Sequence, residues 1–157
     1  HPQHSGMWGG PVPDTTQILC RMIADLTATD GSLRVPGLYR RVRRLGPRER
    51  ARLEAVRFDE RAFKRGAAMM EGMRLAGERR FSPHERLWTR PALTVIALES
   101  QPIHGSSNQI IDVARARLSL RTVPEMDGRA AGEAIVRHLT RRPPFGGRLG
   151  RMHHRGL

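Results

Sequence analysis

The chain has 157 residues, a net charge of +13 and one cysteine, and 38% of its residues are hydrophobic. This length accommodates one domain with a core, or a small domain that carries an insertion. A single cysteine excludes a disulfide within the chain and favours a reducing cytoplasm. No apolar run reaches the ~20 residues of a membrane span, and the N-terminus lacks the pattern of a secretion signal, so no membrane partner is expected.

The positive charge raises the question of nucleic-acid binding. Of the 28 basic residues only Lys64 is a lysine, and residues 40–90 hold 16 basic and 7 acidic residues in alternation. Such interleaving is typical of a solvated helical surface. Because the basic patch shows neither aromatic interleaving nor a motif, nucleic-acid binding is the less favoured interpretation and remains an alternative.

The first predicted element is a helix that begins after Asp14. The segment Asp14-Thr15-Thr16-Gln17 is typical of a capping box. Apolar residues then recur at helical spacing and form one stripe: Ile18, Leu19, Met22, Ile23 and Leu26. We place Cys20 on the buried face of this helix. Asp30-Gly31 predicts the turn that ends it.

Residues 36–90 are predicted to be a helical insertion. We expect one surface helix over residues 47–56 and a second over residues 59–75. Three methionines fall in the second helix, and we interpret them as ordinary packing residues: Met69, Met70 and Met73.

Two strands follow. Residues 92–99 are almost continuously apolar, which predicts a strand covered on one face and partly on the other. Residues 114–122 alternate between an apolar face and a polar face that carries Arg115, Arg117 and Arg121. The connection over residues 101–113 is too long for a tight hairpin. Its length therefore has a cause other than the need to join two neighbouring strands.

A second long helix is predicted over residues 127–141. Its inner face consists of Ala131, Ala134, Ile135, His138 and Leu139. Arginines suit its C-terminal dipole, and Pro143-Pro144 ends it. Residues 143–157 show neither helical nor strand periodicity, and we predict a disordered tail there.

Four segments carry a family resemblance, in this order along the chain: His4-Ser5-Gly6-Met7-Trp8-Gly9-Gly10-Pro11-Val12-Pro13, Leu87-Trp88-Thr89-Arg90-Pro91, Gly105-Ser106-Ser107-Asn108-Gln109-Ile110-Ile111 and Arg117-Leu118-Ser119-Leu120-Arg121-Thr122-Val123-Pro124. Together they resemble the lid, or dimerisation, domain of the co-catalytic zinc metallopeptidases. That family includes carnosinase-type dipeptidases, glutamate carboxypeptidase, succinyl-diaminopimelate desuccinylase and acetylornithine deacetylase. The resemblance covers roughly residues 4–142, most of the chain.

The resemblance implies an α+β, ferredoxin-like fold with two helices on an antiparallel βαββαβ sheet. The helix-strand-strand-helix middle is present in this chain, while the first and last strands are expected to be absent. We therefore assign residues 1–142 to the lid domain, with 36–90 as its insertion, and expect a fragment of a longer gene product.

The resemblance also implies roles for single residues. His4 would reach across a dimer and stabilise the oxyanion of the tetrahedral intermediate. Arg121 would bind the substrate carboxylate, Asn108 would orient the substrate, and Gly105 would permit close approach of the backbone. Simpler interpretations stay open: an exposed histidine near a chain end, a solvated strand face and an ordinary turn asparagine.

The family's two zinc ions are held outside the lid, so we expect none in this chain and two in a full-length parent. The histidines at positions 1, 4, 153 and 154 form no convincing ligand set, and no zinc site is predicted. The favoured function is thus a homodimeric lid fragment of a peptidase or amidohydrolase that cleaves dipeptides or N-acyl amino acids, inactive alone. The alternatives are a stand-alone structural dimerisation module and a basic nucleic-acid-binding protein.

Overall fold

The computed structural model describes residues 1–150. In chain order these form β1 (Gln3–His4), α1 (Ser5–Trp8), α2 (Thr15–Asp25), α3 (Pro47–Ala55), α4 (Glu60–Gly66), α5 (Pro83–Trp88), β2 (Ala92–Glu99), β3 (Gln109–Ile110), β4 (Arg115–Arg121) and α6 (Gly128–Arg141). A 3-10 turn spans Pro144–Gly146, inside the segment predicted to be a disordered tail. The rest of that prediction, over 151–157, lies outside the described residues. Among residues 1–150 no helix is both long and apolar enough to cross a membrane.

The helix α2 confirms the capping signal at its start. The Asp14 carboxylate accepts a hydrogen bond from the Gln17 N–H at 2.9 Å. The prediction for Cys20 is wrong, because its side chain is exposed. At about 100° per residue, Cys20 lies roughly 130° from the centre of the apolar stripe. The other residues of the stripe are half-buried, and Leu26, which follows the last residue of α2, is fully buried.

The core lies between the end of α2, the segment that follows it, α6 and one face of the strands. Its buried members are Leu26, Leu33, Val35, Leu38, Ala131 and Ile135, and Leu93, Leu118 and Leu120 of the strands pack against them. The helix α6 confirms its predicted range. Its N-cap, Asp127, accepts hydrogen bonds from the N–H groups of Arg129 and Ala130 at 2.9 and 3.1 Å.

Strands β2 and β4 form an antiparallel ribbon in which Ala92 lies opposite Arg121 and Glu99 opposite Arg115. A bulge interrupts the pairing between Val95 and Ala97. The predicted alternation of β4 is confirmed, since its arginines are exposed and its apolar residues are partly buried. The strands β1 and β3 form a separate short pair.

The predicted covering of β2 is wrong. Val95, Ile96 and Leu98 are 45%, 57% and 51% exposed. Leu93 is the residue of this strand that contacts the buried core, so the strand extends past the helices that would cover it. Apolar side chains of β2 are therefore left accessible, and among the described residues β2 pairs with β4 alone.

The insertion differs from its prediction in two helices. The helix α3 forms as expected, whereas α4 ends at Gly66, well before residue 75. Ala68 follows with a positive φ of 49°, which no α-helix continues. The extra helix α5 begins at a capping box between Ser82 and Glu85. With α4 ended, Met70 and Met73 are 77% and 50% exposed, so their interpretation as packing residues is wrong.

A buried ion pair lies within the insertion, and the insertion meets the lid partly through main chain. The Arg90 guanidinium donates to Glu78 from Nε to Oε1 at 2.8 Å and from Nη2 to Oε2 at 2.9 Å. It also lies over the rings of Tyr39 and Phe81, 4.8 and 4.4 Å from their centroids. Elsewhere, the turn after α2 approaches so closely that a Cβ on Gly31 would overlap the carbonyl of Gly77.

Candidate functional site

His4 and Asn108 lie side by side at one end of the ribbon. His4 pairs with Gln109 between β1 and β3, and the Ser5 N–H donates to the Asn108 carbonyl at 2.8 Å. The His4 Nδ1 accepts from the Gly6 N–H at 3.1 Å. In a neutral imidazole this assigns the ring proton to Nε2. The exposed ring thus offers Nε2–H as a hydrogen-bond donor.

The Gln101 side chain holds the backbone on both sides of Asn108. Its Oε1 accepts from the Ser107 N–H at 3.1 Å, and its Nε2 donates to the Gln109 carbonyl at 2.9 Å. These bonds explain the long connection after β2, because the chain must return to pair β3 with β1. The sequence gives no signal for Gln101, since both of its partners are main-chain groups.

Gly105 lies in the same loop with a positive φ of 77°. A side chain with a Cβ rarely adopts this conformation, so the turn itself favours glycine. A Cβ built at this position would meet no heavy atom within 4 Å. The space around Gly105 is open to another molecule.

Arg121 lies at the opposite end of the ribbon, beside α5. Its exposed guanidinium donates through Nη2 to the carbonyls of Arg86 and Arg90, at 2.8 and 3.3 Å. A guanidinium binds a carboxylate at two points through Nη1 with Nη2 or through Nε with Nη2. Nη2 belongs to both edges, so the contact with α5 affects either mode of carboxylate binding.

The two ends are far apart within one chain. From Arg115 to Arg121 the strand β4 extends roughly 20 Å at about 3.3 Å per residue. Asn108 and Gln101 lie beyond the Arg115 end, where β2 finishes at Glu99. A dipeptide spans only about 7 Å when extended. The structure therefore brings His4 and Asn108 together and leaves Arg121 apart from them.

Metal ligands are not grouped in the described part of the chain. Residues 1–150 contain no group of three or more histidine, cysteine, aspartate or glutamate side chains placed to hold an ion. His153 and His154 fall outside the described residues. His1 and His4 are thus not joined by a third ligand within the described range.

The chain is similar to two curated dipeptidases. The chain is 27% identical over 148 residues to the cysteinylglycine-S-conjugate dipeptidase of Corynebacterium striatum, a match that covers 94% of this chain and 30% of that protein. It is 24% identical over 140 residues to the Cys-Gly metallodipeptidase of Schizosaccharomyces pombe, covering 88% and 29%. The chain therefore spans about 30% of the length of these curated relatives.

Solved structures show the same fold. The M20 family metallo-carboxypeptidase of Sulfolobus solfataricus superposes with a TM-score of 0.73 at 25% identity, over 94% of this chain and 33% of that one. Human carnosine dipeptidase 1 superposes with a TM-score of 0.73 at 24% identity, over 90% and 30%. The expected α+β lid fold is confirmed. The model of the peptidase dimerisation domain matches residues 1–146, and this chain belongs to that family.

Proposed function

We propose that this chain is the lid and dimerisation part of a zinc-dependent peptidase that hydrolyses dipeptides or N-acyl amino acids. The family match over residues 1–146 and the metallodipeptidase relatives support this proposal. The observation that carries it is the pairing of His4 with the Asn108 segment at one exposed end of the ribbon. The two zinc ions would be held by the further length that the relatives possess.

His4 acts on the reacting carbonyl in this proposal. Attack of a hydroxide on an amide carbonyl places negative charge on the oxygen, and a fixed donor stabilises that charge. The Gly6 N–H holds Nδ1 as an acceptor, which leaves Nε2–H to donate. The Asn108 amide, next to it, orients a polar group of the same substrate, and the open space at Gly105 admits the substrate backbone.

Arg121 binds the free carboxylate of the substrate. The distance along β4 prevents one small substrate from contacting Arg121 and Asn108 of the same copy. We therefore propose that a homodimer builds the site, with His4 and Asn108 from one copy and Arg121 from the other. Each end of the ribbon then serves a different active site.

The edge of β2 is the proposed dimer seam. Among the described residues β2 pairs with β4 on one side, and its apolar residues Val95, Ile96 and Leu98 are exposed. Two such edges paired about a twofold axis would satisfy their free backbone groups and bring these apolar side chains into cross-strand contact. An Ile96→Lys variant should shift the chain to monomer in sedimentation measured at several concentrations, whereas an Arg117→Lys control should not.

The catalytic role is tested in a full-length enzyme that carries this lid. His4→Ala should lower kcat by about 10²- to 10³-fold with little change in KM, because one oxyanion donor is lost. The chain alone, with added zinc and a panel of dipeptides, should give no turnover. Turnover by the chain alone, or an unchanged kcat in His4→Ala, would refute the assignment. The proposal includes a cytoplasmic location, which cell fractionation would test.

A stand-alone dimerisation module is the second candidate, favoured by the exposed β2 edge. It predicts dimerisation without any effect of His4 or Arg121 on a hydrolase. The His4→Ala measurement separates the two candidates, because only the peptidase proposal expects a loss of kcat.

A further inference from the structure

We propose that the insertion positions Arg121 for substrate, with Glu78 and Arg86 as the positioning residues. This inference rests on the proposed role of Arg121 in carboxylate binding. Its starting point is that Arg121, an exposed lid residue, donates to two carbonyls of the insertion, those of Arg86 and Arg90. The insertion thus contacts Arg121 through main-chain atoms.

The first of these carbonyls is fixed by the side chain of its own residue. Arg86 donates from Nε to the Phe81 carbonyl at 2.8 Å, from Nη1 to the Ala76 carbonyl at 3.1 Å and from Nη2 to the Arg79 carbonyl at 3.3 Å. All three side-chain nitrogens are used within the insertion. Arg86 is therefore held by its side-chain hydrogen bonds and by the backbone of the helix α5.

The second carbonyl is fixed by the buried ion pair. The Arg90 side chain is bound at two points by Glu78, whose side chain is 3% exposed. The residue before it, Thr89, donates from both its N–H and its hydroxyl to the Glu85 carbonyl, each at 2.9 Å. The segment that presents its carbonyl to Arg121 is thus anchored on both sides.

Fixing Arg121 before substrate arrives favours binding. A free arginine samples many rotamers, and ordering it on binding opposes affinity. Because two carbonyls already hold Nη2, part of this entropic cost is met before substrate binds. Because Nη2 belongs to both two-point edges, the substrate carboxylate must share this nitrogen with α5. We expect the carboxylate to share one Nη2 N–H with the Arg90 carbonyl in a three-centre hydrogen bond, so that both carbonyls keep holding Arg121.

A double-mutant cycle in a full-length enzyme that carries this lid tests the inference. The variants are Glu78→Gln, Arg86→Lys and Arg121→Ala, alone and in pairs. The substrates are a dipeptide with a free C-terminal carboxylate and the same dipeptide as its C-terminal amide. Glu78→Gln should raise KM for the free acid about 10-fold, as expected for a weakened charge-assisted bond, with kcat unchanged. The KM for the amide should stay within about twofold, since no carboxylate is bound.

The pairs decide between positioning and a merely structural effect. In the Arg121→Ala background, Glu78→Gln and Arg86→Lys should change KM no further. An effect that persists there, or one that is equal for acid and amide, would overturn the inference. Should Glu78→Gln fail to fold, Arg86→Lys carries the test, because it keeps the charge and removes the three-carbonyl arrangement. Arg43→Ala, an exposed insertion residue, is the matched control and should leave both KM values unchanged.

The proposed function fails in a different way. If Arg121→Ala leaves the KM of the free acid unchanged, Arg121 binds no carboxylate, and this inference falls with it. If Arg121→Ala raises KM while Glu78→Gln and Arg86→Lys do not, the role of Arg121 stands and the positioning by the insertion is refuted.

Discussion

The two ends of the β2–β4 ribbon fix their polar residues in different ways. At the loop end, a neutral and partly exposed side chain, Gln101, holds the backbone around Asn108. At the insertion end, the segment that holds Arg121 is anchored by a buried ion pair between Glu78 and Arg90. Exposed neutral hydrogen bonds contribute little net stability, whereas removing one partner of a buried pair is strongly destabilising. Order at the loop end is therefore local, and order at the insertion end is coupled to the stability of the whole chain.

The largest effect is expected from Glu78→Ala. It leaves the Arg90 guanidinium buried without a counter-charge, and we expect a loss of about 3–5 kcal/mol in the free energy of unfolding. Denaturant unfolding of the chain measures it, with the exposed Glu54→Ala as control. A loss below about 1 kcal/mol is typical of surface substitutions. Such a result would contradict the coupling between order at the insertion end and the stability of the whole chain.

Gln101→Ala should have a smaller and local effect. Its two hydrogen bonds are exposed, so the free energy of unfolding should fall by less than about 1 kcal/mol. The Ser107 N–H loses its acceptor, and its hydrogen exchange should become faster by NMR. The neighbouring Gln109→Ala keeps the Gln101 bonds and serves as control. Slow exchange in Gln101→Ala would show that the loop is ordered by other contacts.

The smallest effect concerns an exposed charge pair of the insertion. The hydrogen bond from the Arg43 guanidinium, with a further bond from the Gly46 N–H, lowers the pKa of Glu49 to about 2 from an ordinary 4.5. A lowered pKa stabilises the folded chain above pH 4.5, and this contribution is lost as the pH falls through about 2. Arg43→Ala should raise the pKa of Glu49 towards 4.5 in an NMR titration. An unchanged midpoint would assign the shift to Gly46 alone.

Local signals predict the long elements of this fold. In α2 the cap at Asp14 and the apolar stripe fall on the same residues, and α6 repeats the arrangement from Asp127. The six residues of α5 are too few to show periodicity, so its signals are the capping box at Ser82 and the proline at its first position, Pro83. The helix predicted over 59–75 ends at Gly66, and the backbone turns at Ala68.

The sequence predicts only those parts of the candidate site that consist of distinctive side chains. His4, Asn108 and Arg121 stand in motifs that a resemblance identifies. The contacts that hold them are mostly to carbonyl and N–H groups, which every residue except proline supplies in the same form. No pattern therefore distinguishes Gln101 or Arg86 from other polar residues, and their roles emerge from the fold. The exposure of β2 is also set by the position of the helices, which strand composition does not encode.

The close approach of Gly31 to Gly77 has a consequence for protein engineering. Lid and insertion meet there mainly through main chain, and the Arg79 side chain adds one hydrogen bond to the Thr29 carbonyl at 2.7 Å. A single methyl group at position 31 would push the two segments apart, because it meets a carbonyl rather than a flexible side chain. The positive φ of 87° adds backbone strain to any such residue. Gly31→Ala should thus loosen the contact between positions 31 and 77, while the Glu78–Arg90 pair and the packing of Leu38 in the core are left in place.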